Sequence, residues 1–315
     1  MASQPIRIAT RGSKLALIQA QAVKDRLAAA LGWGSEADAM CRIVPIKTTG
    51  DRIHDRTLVE EGGKGLFAKE IEEALLAGDV DLAVHSAKDM PSVLPRGLGL
   101  AATIERGDPR DVFIARDGTP FASLKPGARL GTSSVRRRAQ ALRARRDLSL
   151  VVLRGNVDTR LARLAAGEVD AVLLAKAGTD RLGLVPEGAE ILAPETWLPA
   201  LCQGAIGIEL KEDDARMREI VRAIDHRETS IAIACERAFL GALDGSCRTP
   251  VAGLARVRGE RLEFHGEALT LDGREAWQAR GDVALGKDPI QAAITLGTFA
   301  GRDVRARAGD KLPRD

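Results

Sequence analysis

The sequence predicts an α/β protein with two similar α/β lobes around a cleft, followed by a small α+β domain. Short apolar strands alternate with amphipathic helices through the first two thirds of the chain, and parts of that region resemble each other. In the last third the pattern changes to alternating apolar and polar residues interrupted by turn residues. A chain of 315 residues is long enough for two or three cores.

The first similarity is a strand that leads through serine or threonine into a helix. The segment IRIAT precedes Ser13 and a predicted helix over residues 15–31. Residues 129–131 precede Ser134 and a second predicted helix that ends near residue 146. Ser and Thr at such positions cap the helix N-terminus. The unpaired N–H groups and the helix dipole also favour anions there.

The second similarity is closer. Residues 77–84 read AGDVDLAV and residues 166–173 read AGEVDAVL, each after an amphipathic helix. Gly78 and Gly167 stand where those helices should end, and an apolar strand of the parallel-sheet type follows each glycine. We interpret this similarity as two lobes of the same plan. The alternative is a chance match between common α/β segments. Ligands of open α/β sheets bind beyond the carboxyl ends of the strands, so a cleft is expected there.

The last third predicts a helix over residues 226–243, a three-stranded antiparallel sheet over 251–283 and a closing helix over 289–301. The turns are expected at Gly259-Glu260 and Asp272-Gly273. The charged tail from Arg302 is expected to fray.

Composition excludes several classes of protein. Forty-seven basic residues against 44 acidic ones, with 3% aromatic residues, argue against a general nucleic-acid binder. No apolar run has the length of a signal peptide or a membrane span, so a cytoplasmic protein is expected. The cysteines form no CxxC pair and the histidines lack zinc-ligand spacing, so reduced thiols and no metal are expected. The cysteines are Cys41, Cys202, Cys235 and Cys247.

Arginines are concentrated just after the second Ser/Thr helix start. The cluster consists of Arg136, Arg137, Arg138, Arg143, Arg145 and Arg146. A solvated helix face or a nucleic-acid helix would explain it. A carboxylate-binding site is the sharper hypothesis, because a guanidinium matches a carboxylate in a fork. Arg11, Arg154 and Arg160 also fall in predicted strand-to-helix connections, as a substrate with several carboxylates would require.

Two further polar segments are candidates. His85, Ser86, Lys88 and Asp89 follow a predicted strand, where they would face the cleft, although an ordinary Lys–Asp surface pair is the alternative. Residues 62–65, Gly-Gly-Lys-Gly, lack the spacing of a phosphate-binding loop and suggest either a flexible flap or a plain turn.

Cys247 lies between Gly245 and Pro250, so it should be less buried than Cys235 in its apolar helix. A reactive Cys247 and a structural one both remain open on these grounds.

Taken together, the motifs resemble one family. In order they are IATRGSKLAL, GGKGLFAKEIEEALL, DLAVHSAKDMP, GLGLAATIERGDPRDVFI, GTSSVRRRAQ, LRGNVDTRLARL, AKAGTDRLGL, QGAIGIE and LDGSCRTPVAG. They extend to about residue 253, and the chain resembles the porphobilinogen deaminase (hydroxymethylbilane synthase) family.

The resemblance implies a transferase of tetrapyrrole biosynthesis. Four porphobilinogen molecules would be joined head to tail, with loss of ammonia, on a dipyrromethane cofactor attached through a thioether to Cys247. The product hydroxymethylbilane would pass to uroporphyrinogen-III synthase, and a monomer is expected. Two periplasmic-binding-protein-like lobes and a third domain are implied. The expected domains are residues 1–104 with 205–222, residues 105–204, and residues 223–315.

Site residues carry over by matching position. Asp89 matches the catalytic carboxylate, and Arg181 matches an arginine linked to substrate handling. The groups that hold acetate and propionate side chains match Arg11, Ser13, Lys88, Ser134, Arg136, Arg137, Arg154 and Arg160. The flap matches Gly62, Gly63, Lys64 and Gly65.

Two positions depart from the family pattern. Cys202 stands where the family usually has Gly, so it needs ruling out as an attachment point. The loop reads Asp-Gly-Ser-Cys where many members have Glu-Gly-Gly-Cys. The alternative function is a small-anion binding module without catalysis, which two such lobes could also form.

Overall fold

The structure is a computed structural model that describes residues 5–52, 68–184, 187–244 and 249–312. The chain forms two compact units, Met1–Gly107 with Ala205–Ser230, and Asp108–Gly204 with Ile231–Asp315. None of the described helices is long and apolar enough to cross a membrane.

The first unit is a five-stranded mixed sheet with helices packed on it. Its strands are β1 (Ile6–Arg11), β2 (Cys41–Ile46), β3 (Leu82–Ser86), β4 (Leu98–Thr103) and β10 (Ile206–Lys211). Its helices are α1 (Lys14–Leu31), α2 (Ala37–Met40), α3 (Thr49–Arg52), α4 (Lys69–Ala77) and α8 (Ala215–Arg222). The strand order is β2-β1-β3-β10-β4, with β10 antiparallel to both of its neighbours.

Side chains of alternating strand positions form a core on each face of this sheet. Ile6 and Ile8 pack with Val23 and Leu27 of α1, whereas Ala9 lies on the other face with the apolar side of α4. Helix α1 begins after Ser13, whose Oγ accepts from the Ala16 N–H, and ends at Gly32 with φ of 68°.

The second unit contains a sheet of the same plan. Its strands are β5 (Asp111–Ala115), β6 (Arg129–Gly131), β7 (Ser149–Val151), β8 (Ala171–Ala175) and β9 (Glu190–Ile191). Its helices are α5 (Val135–Ala144), α6 (Val157–Ala165) and α7 (Lys176–Leu182). The order is β7-β6-β8-β5-β9, with β5 antiparallel to both neighbours, as β10 is in the first sheet.

One ion pair occurs at the same place in both sheets. The backbone N–H and the guanidinium of Arg7 donate to Asp81, and the guanidinium also reaches the Gly78 carbonyl. In the second sheet Arg129 makes the same three contacts with Asp170 and Gly167. β3 begins directly after Asp81 and β8 directly after Asp170, and the two strands occupy equivalent positions in their sheets. The similarity of residues 77–84 and 166–173 therefore reflects shared structure.

The second unit continues with a three-stranded antiparallel sheet, preceded and followed along the chain by a helix. The elements are α9 (Arg227–Ala242), β11 (Val251–Arg258), β12 (Arg261–Leu269), β13 (Ala276–Ala284) and α10 (Pro289–Ala308). This sheet contacts α5 closely, since a Cβ added to Gly273 would lie 2.2 Å from the Ala139 carbonyl oxygen. Glu267 of β12 accepts from Gln140 and Arg143 of α5.

The predicted fold class is confirmed, with two α/β lobes of one plan and a C-terminal antiparallel sheet. The prediction that the tail frays from Arg302 was wrong, because α10 continues to Ala308. Val304 and Ala308 are buried, and Arg307 ion-pairs with Asp303 and donates to the Gln278 carbonyl. The boundaries of three separate domains stay a prediction.

Candidate active site

In the first unit, the candidate residues lie where the parallel strands β1 and β3 end. Thr10 is buried, and its hydroxyl contacts the carbonyls of Ala16 and Val84, which joins β1, α1 and β3. Arg11 is the last residue of β1, and Ser13 caps α1. The two residues therefore lie at the carboxyl edge of the sheet, where the sequence placed them.

Asp89 and Lys88 belong to a short 3-10 turn, Ala87–Asp89, that directly follows β3. Ser86 exchanges hydrogen bonds with the buried Gln19 of α1, at 2.9 and 3.0 Å. The Ala87 N–H donates to the Ala205 carbonyl over 3.0 Å, which fixes the turn to the segment before β10.

The Asp89 carboxylate is half-buried, and it has no hydrogen-bond or ion-pair partner among the residues that the structure describes. The turn is therefore rigidly held while its carboxylate stays available. Such an arrangement suits a group that must meet a developing positive charge.

In the second unit, Arg136 and Arg137 have a structural partner that the sequence did not reveal. Asp111, the first residue of β5, is fully buried and accepts from Arg136 at 2.7 Å and from Arg137 at 2.8 Å. Burial alone would raise the pKa of Asp111, but the two guanidinium groups hold it well below its usual range. The two arginines are only 4% and 5% exposed. Their contacts with carboxylates of a ligand stay a prediction.

A second group of candidates lies at the carboxyl ends of the parallel strands β6 and β7. Ser134 caps α5, and its Oγ accepts from the Arg137 N–H. Arg160 donates to the Gly155 carbonyl over 2.9 Å and contacts the Ser133 hydroxyl at 3.5 Å, which joins the two loops. Arg160 lies inside α6 and not in the connection before it, so that part of the sequence prediction was wrong.

Arg154 follows β7 and is half-buried. Its guanidinium has no hydrogen-bond or ion-pair partner among the described parts of the chain. A cation held near the carboxyl edge without an acidic partner can accept an external carboxylate. The neighbouring α6 also begins at Asn156 without a side-chain cap, which leaves its first amides available.

Arg181 of α7 is less accessible. Its guanidinium donates to the Gly204 carbonyl over 2.7 Å, at the end of the chain segment that leaves the second unit. Burial lowers the pKa of Arg181. The geometry gives Arg181 a role in fixing this segment, and its link to substrate handling stays a prediction.

The predicted attachment residue Cys247 and the predicted flap residues 62–65 lie outside the described residues. The other three cysteines are buried. Burial raises the pKa of Cys41 to about 11 and also raises the pKa of Cys235. Neither thiol is suited to act as a nucleophile near neutral pH.

Cys202 has a left-handed backbone with φ of 62°, the conformation that glycine tolerates best. Its N–H donates to Glu236, whose other carboxylate oxygen accepts from the Ala255 N–H at 2.8 Å. The side chain of Cys202 is 3% exposed.

Sequence reasoning missed Asp111 and Gln19. Each is a polar residue inside an apolar element, which is a usable signal because a buried polar group needs a partner. For Asp111 the segment RDVFIA carries that signal. It does not reveal which residues supply the partners.

Comparison with known proteins agrees with the motifs. Residues 6–219 match the family described as "Porphobilinogen deaminase, dipyromethane cofactor binding domain", and residues 230–305 match "Porphobilinogen deaminase, C-terminal domain". A porphobilinogen deaminase of Caulobacter vibrioides is 52% identical over 98% of this chain and 97% of the relative. One from Caulobacter sp. strain K31 is 50% identical over 99% of each chain.

Among solved structures, the periplasmic VFT2 domain of Bordetella pertussis BvgS matches with a TM-score of 0.42 and 13% identity, over 70% of this chain and 86% of that one. The family matches together span most of the chain, and the two relatives match it along almost their full length. The chain belongs to the porphobilinogen deaminase family.

Proposed function

We propose that this chain joins four porphobilinogen molecules head to tail into hydroxymethylbilane, with release of ammonia, on a dipyrromethane primer attached to Cys247. The observation that carries the proposal is the turn after β3. There the motif DLAVHSAKDMP holds Asp89 at the carboxyl edge of parallel strands, with its carboxylate unpaired among the described residues.

The residues of the second unit fit a dipyrromethane. Each of its rings bears an acetate and a propionate side chain, so it needs several hydrogen-bond donors. Arg154 has no acidic partner among the described residues, and Arg160 and Ser133 converge on the same loops. We expect these groups, with Ser134, to hold carboxylates of the primer and of the bound porphobilinogen. When bound, the primer supplies the free pyrrole carbon to which the first substrate unit is joined.

Arg136 and Arg137 contribute differently. Two guanidinium groups share one carboxylate, Asp111, so the trio has one positive charge in excess. The Nε atoms of both arginines are buried and have no hydrogen-bond partner among the described residues. The trio therefore favours an anion nearby by its field, even where direct contact is limited by burial.

Asp89 is proposed to act on the substrate. Loss of ammonia from the aminomethylpyrrole leaves a cation that is delocalised onto the ring N–H. A fixed carboxylate beside that N–H lowers the energy of the developing charge. Lys88 and Arg11 lie on the same edge of the sheet and are expected to bind the substrate's own carboxylates.

The remaining parts of the proposal concern the setting of the protein. We expect a monomer in the cytoplasm, whose polyanionic product needs no membrane and passes to uroporphyrinogen-III synthase. These points rest on family membership alone.

The intact mass of the purified protein tests the function. We expect an excess over the sequence mass equal to two linked pyrrole units, which peptide mapping places on Cys247. Cys247→Ser should lack the excess, because a hydroxyl is a far poorer nucleophile than a thiolate. Cys202→Ser is the matched control and should retain it. Active protein without the excess, or with the excess on Cys202, would contradict the proposal.

A further inference from the structure

Three titratable side chains are buried together in the first unit. One of them is His85, which lies inside β3 and not beyond its end, as the sequence had suggested. Glu72 belongs to α4, His85 to β3 and Glu209 to β10. His85 Nε2 lies 3.0 Å from Glu209 Oε2, and these two side chains are 5% and 0% exposed. Strand alternation places both on the sheet face that Ala83 shares with the apolar side of α4.

The hydrogen-bonding capacity of this cluster is incomplete. Glu72 Oε1 and Glu209 Oε1 are buried, and neither has a hydrogen-bond partner among the described residues. Two ionised carboxylates in such a place would repel each other without full solvation. A retained proton removes one of the charges and provides a donor for the unpaired oxygens.

The charged neighbours do not remove the need for a retained proton. Burial and then the charge of Glu209 raise the pKa of Glu72 to about 7, although His85 opposes the rise. By strand alternation the same sheet face also carries Arg7, Arg11, Arg42 and Lys211, and α4 adds Lys69, Glu70 and Glu73. Of these, Arg7 is already ion-paired with Asp81, and Glu73 raises the pKa of Glu72 further.

We propose that Glu72, His85 and Glu209 form a buried proton-binding site that fastens α4 to the sheet. Through the pairing of β3 with β10, it also steadies the turn that carries Asp89. His85 lies one residue before Ser86, and Ser86 pairs with Ile206 in the ladder that ends at this turn. Any importance of this site for catalysis rests on the proposed role of Asp89. The existence of the proton site does not depend on that role.

The sign of the pH effect follows from the raised pKa of Glu72. A carboxyl whose pKa is higher in the folded than in the unfolded state stabilises the fold below the unfolded value, here 4.5. That stabilisation is lost as the pH rises through about 7. Glu72→Gln keeps the shape and a donor but cannot ionise, so it avoids this loss.

Thermal unfolding between about pH 5 and 8 tests the site, with the pH range set around the usual glutamate pKa and neutrality. We expect the Tm of Glu72→Gln to rise relative to the wild type as the pH increases, by several degrees across the range. Glu219→Gln, on the exposed side of α8 in the same unit, is the control and should keep a constant offset. A constant offset for Glu72→Gln as well would overturn the proposal.

A second measurement uses the unaltered protein and so does not depend on how the variant folds. Infrared difference spectra should show a protonated carboxyl group that ionises near neutral pH, far above the roughly 4.3 of an exposed glutamate. Amide exchange at Ala87 should quicken over the same pH range. Full ionisation of every carboxyl below pH 6, or exchange at Ala87 that follows only the intrinsic chemical rate, would refute the site. Neither readout depends on whether Asp89 is catalytic or Cys247 carries a primer.

Discussion

Arg137 donates a hydrogen bond to Asp111 over 2.8 Å inside the second unit, and both side chains are shut off from solvent. Asp111 also accepts from Arg136, from the Trp197 indole N–H and from the Gln203 amide, all at 2.7–2.8 Å. One carboxylate thus fixes the first turn of α5, the start of β5 and the segment before β10. Two arginines of the sequence cluster, Arg136 and Arg137, are therefore part of the interior as well as candidate binding residues.

Asp111→Asn should destabilise the second unit strongly. The change leaves two buried guanidinium groups without their counter-charge, and breaking a buried ion pair in this way costs about 3–5 kcal/mol. Urea unfolding is the measurement. Asp147→Asn, which removes the exposed partner of Arg145, is the control and should change the unfolding midpoint little. Equal midpoints for the two variants would show that the Asp111 network adds no stability.

Asp89→Asn should bind primer and substrate but scarcely release ammonia. Asn keeps the shape of the side chain while removing the charge that the cationic transition state needs. Asp89→Glu keeps the charge and displaces it, so it should be impaired less, although a shift of about 1 Å can still cost roughly 100-fold. Single-turnover ammonia release by primer-loaded protein distinguishes them. Asp79→Asn, in the exposed loop before β3, should behave as the wild type. Near-normal release by Asp89→Asn would exclude it as the catalytic carboxylate.

Arg154→Leu should weaken porphobilinogen binding without unfolding the protein. The guanidinium makes no hydrogen bond or ion pair within the described residues, so its removal should affect the binding of an external carboxylate more than the fold. Loss of one charge-assisted hydrogen bond corresponds to about 1.5–3 kcal/mol. Calorimetric titration of primer-loaded protein measures the change.

The matched control for Arg154 is Arg138→Leu. Arg138 is also half-buried and without a partner among the described residues, but it lies within α5 and not in a loop at the carboxyl edge. We expect its affinity to equal that of the wild type. If both variants bind alike, the position of Arg154 confers no special role.

At position 202, glycine should give a more stable protein than alanine. At φ of 62° a Cβ costs about 1–2 kcal/mol, which both cysteine and alanine bear and glycine does not. Cys202→Gly should therefore be more stable than Cys202→Ala by about 1 kcal/mol, which reverses the usual order of these residues. Chemical denaturation of the two variants provides the comparison. Greater stability of the alanine variant would show that the left-handed backbone is not maintained in solution.

The local elements were predictable because their causes are local. Ser13 caps the helix that it precedes, Gly78 and Gly167 end helices in the left-handed conformation, and the two similar segments occupy equivalent places. Partners distant along the chain were not predictable. The arginines of α5 meet Asp111 across intervening strands, so spacing along the helix gives no sign of that contact.

The predicted end of the closing helix was wrong for the same reason. Charge at Arg302 suggested fraying, but Val304 and Ala308 bury against neighbours that the local pattern does not contain. For the site, the sequence located the edges of both sheets where polar residues gather. It did not reveal that Arg154 and Asp89 lack partners among the described residues while Arg136 and Arg137 have a buried one.

The place of β10 in the first sheet has a consequence for how the chain acquires its structure during synthesis. β10 lies between β3 and β4, and β4 pairs with no other described strand. Because the chain is synthesised from its N-terminus, residues 104–205 are made after β4 and before its partner β10. β4 therefore cannot pair until β10 has left the ribosome. The strands β5 to β9 are contiguous and can close their sheet earlier. The nascent first lobe should therefore be the later one to resist protease, against the usual N-terminal-first order.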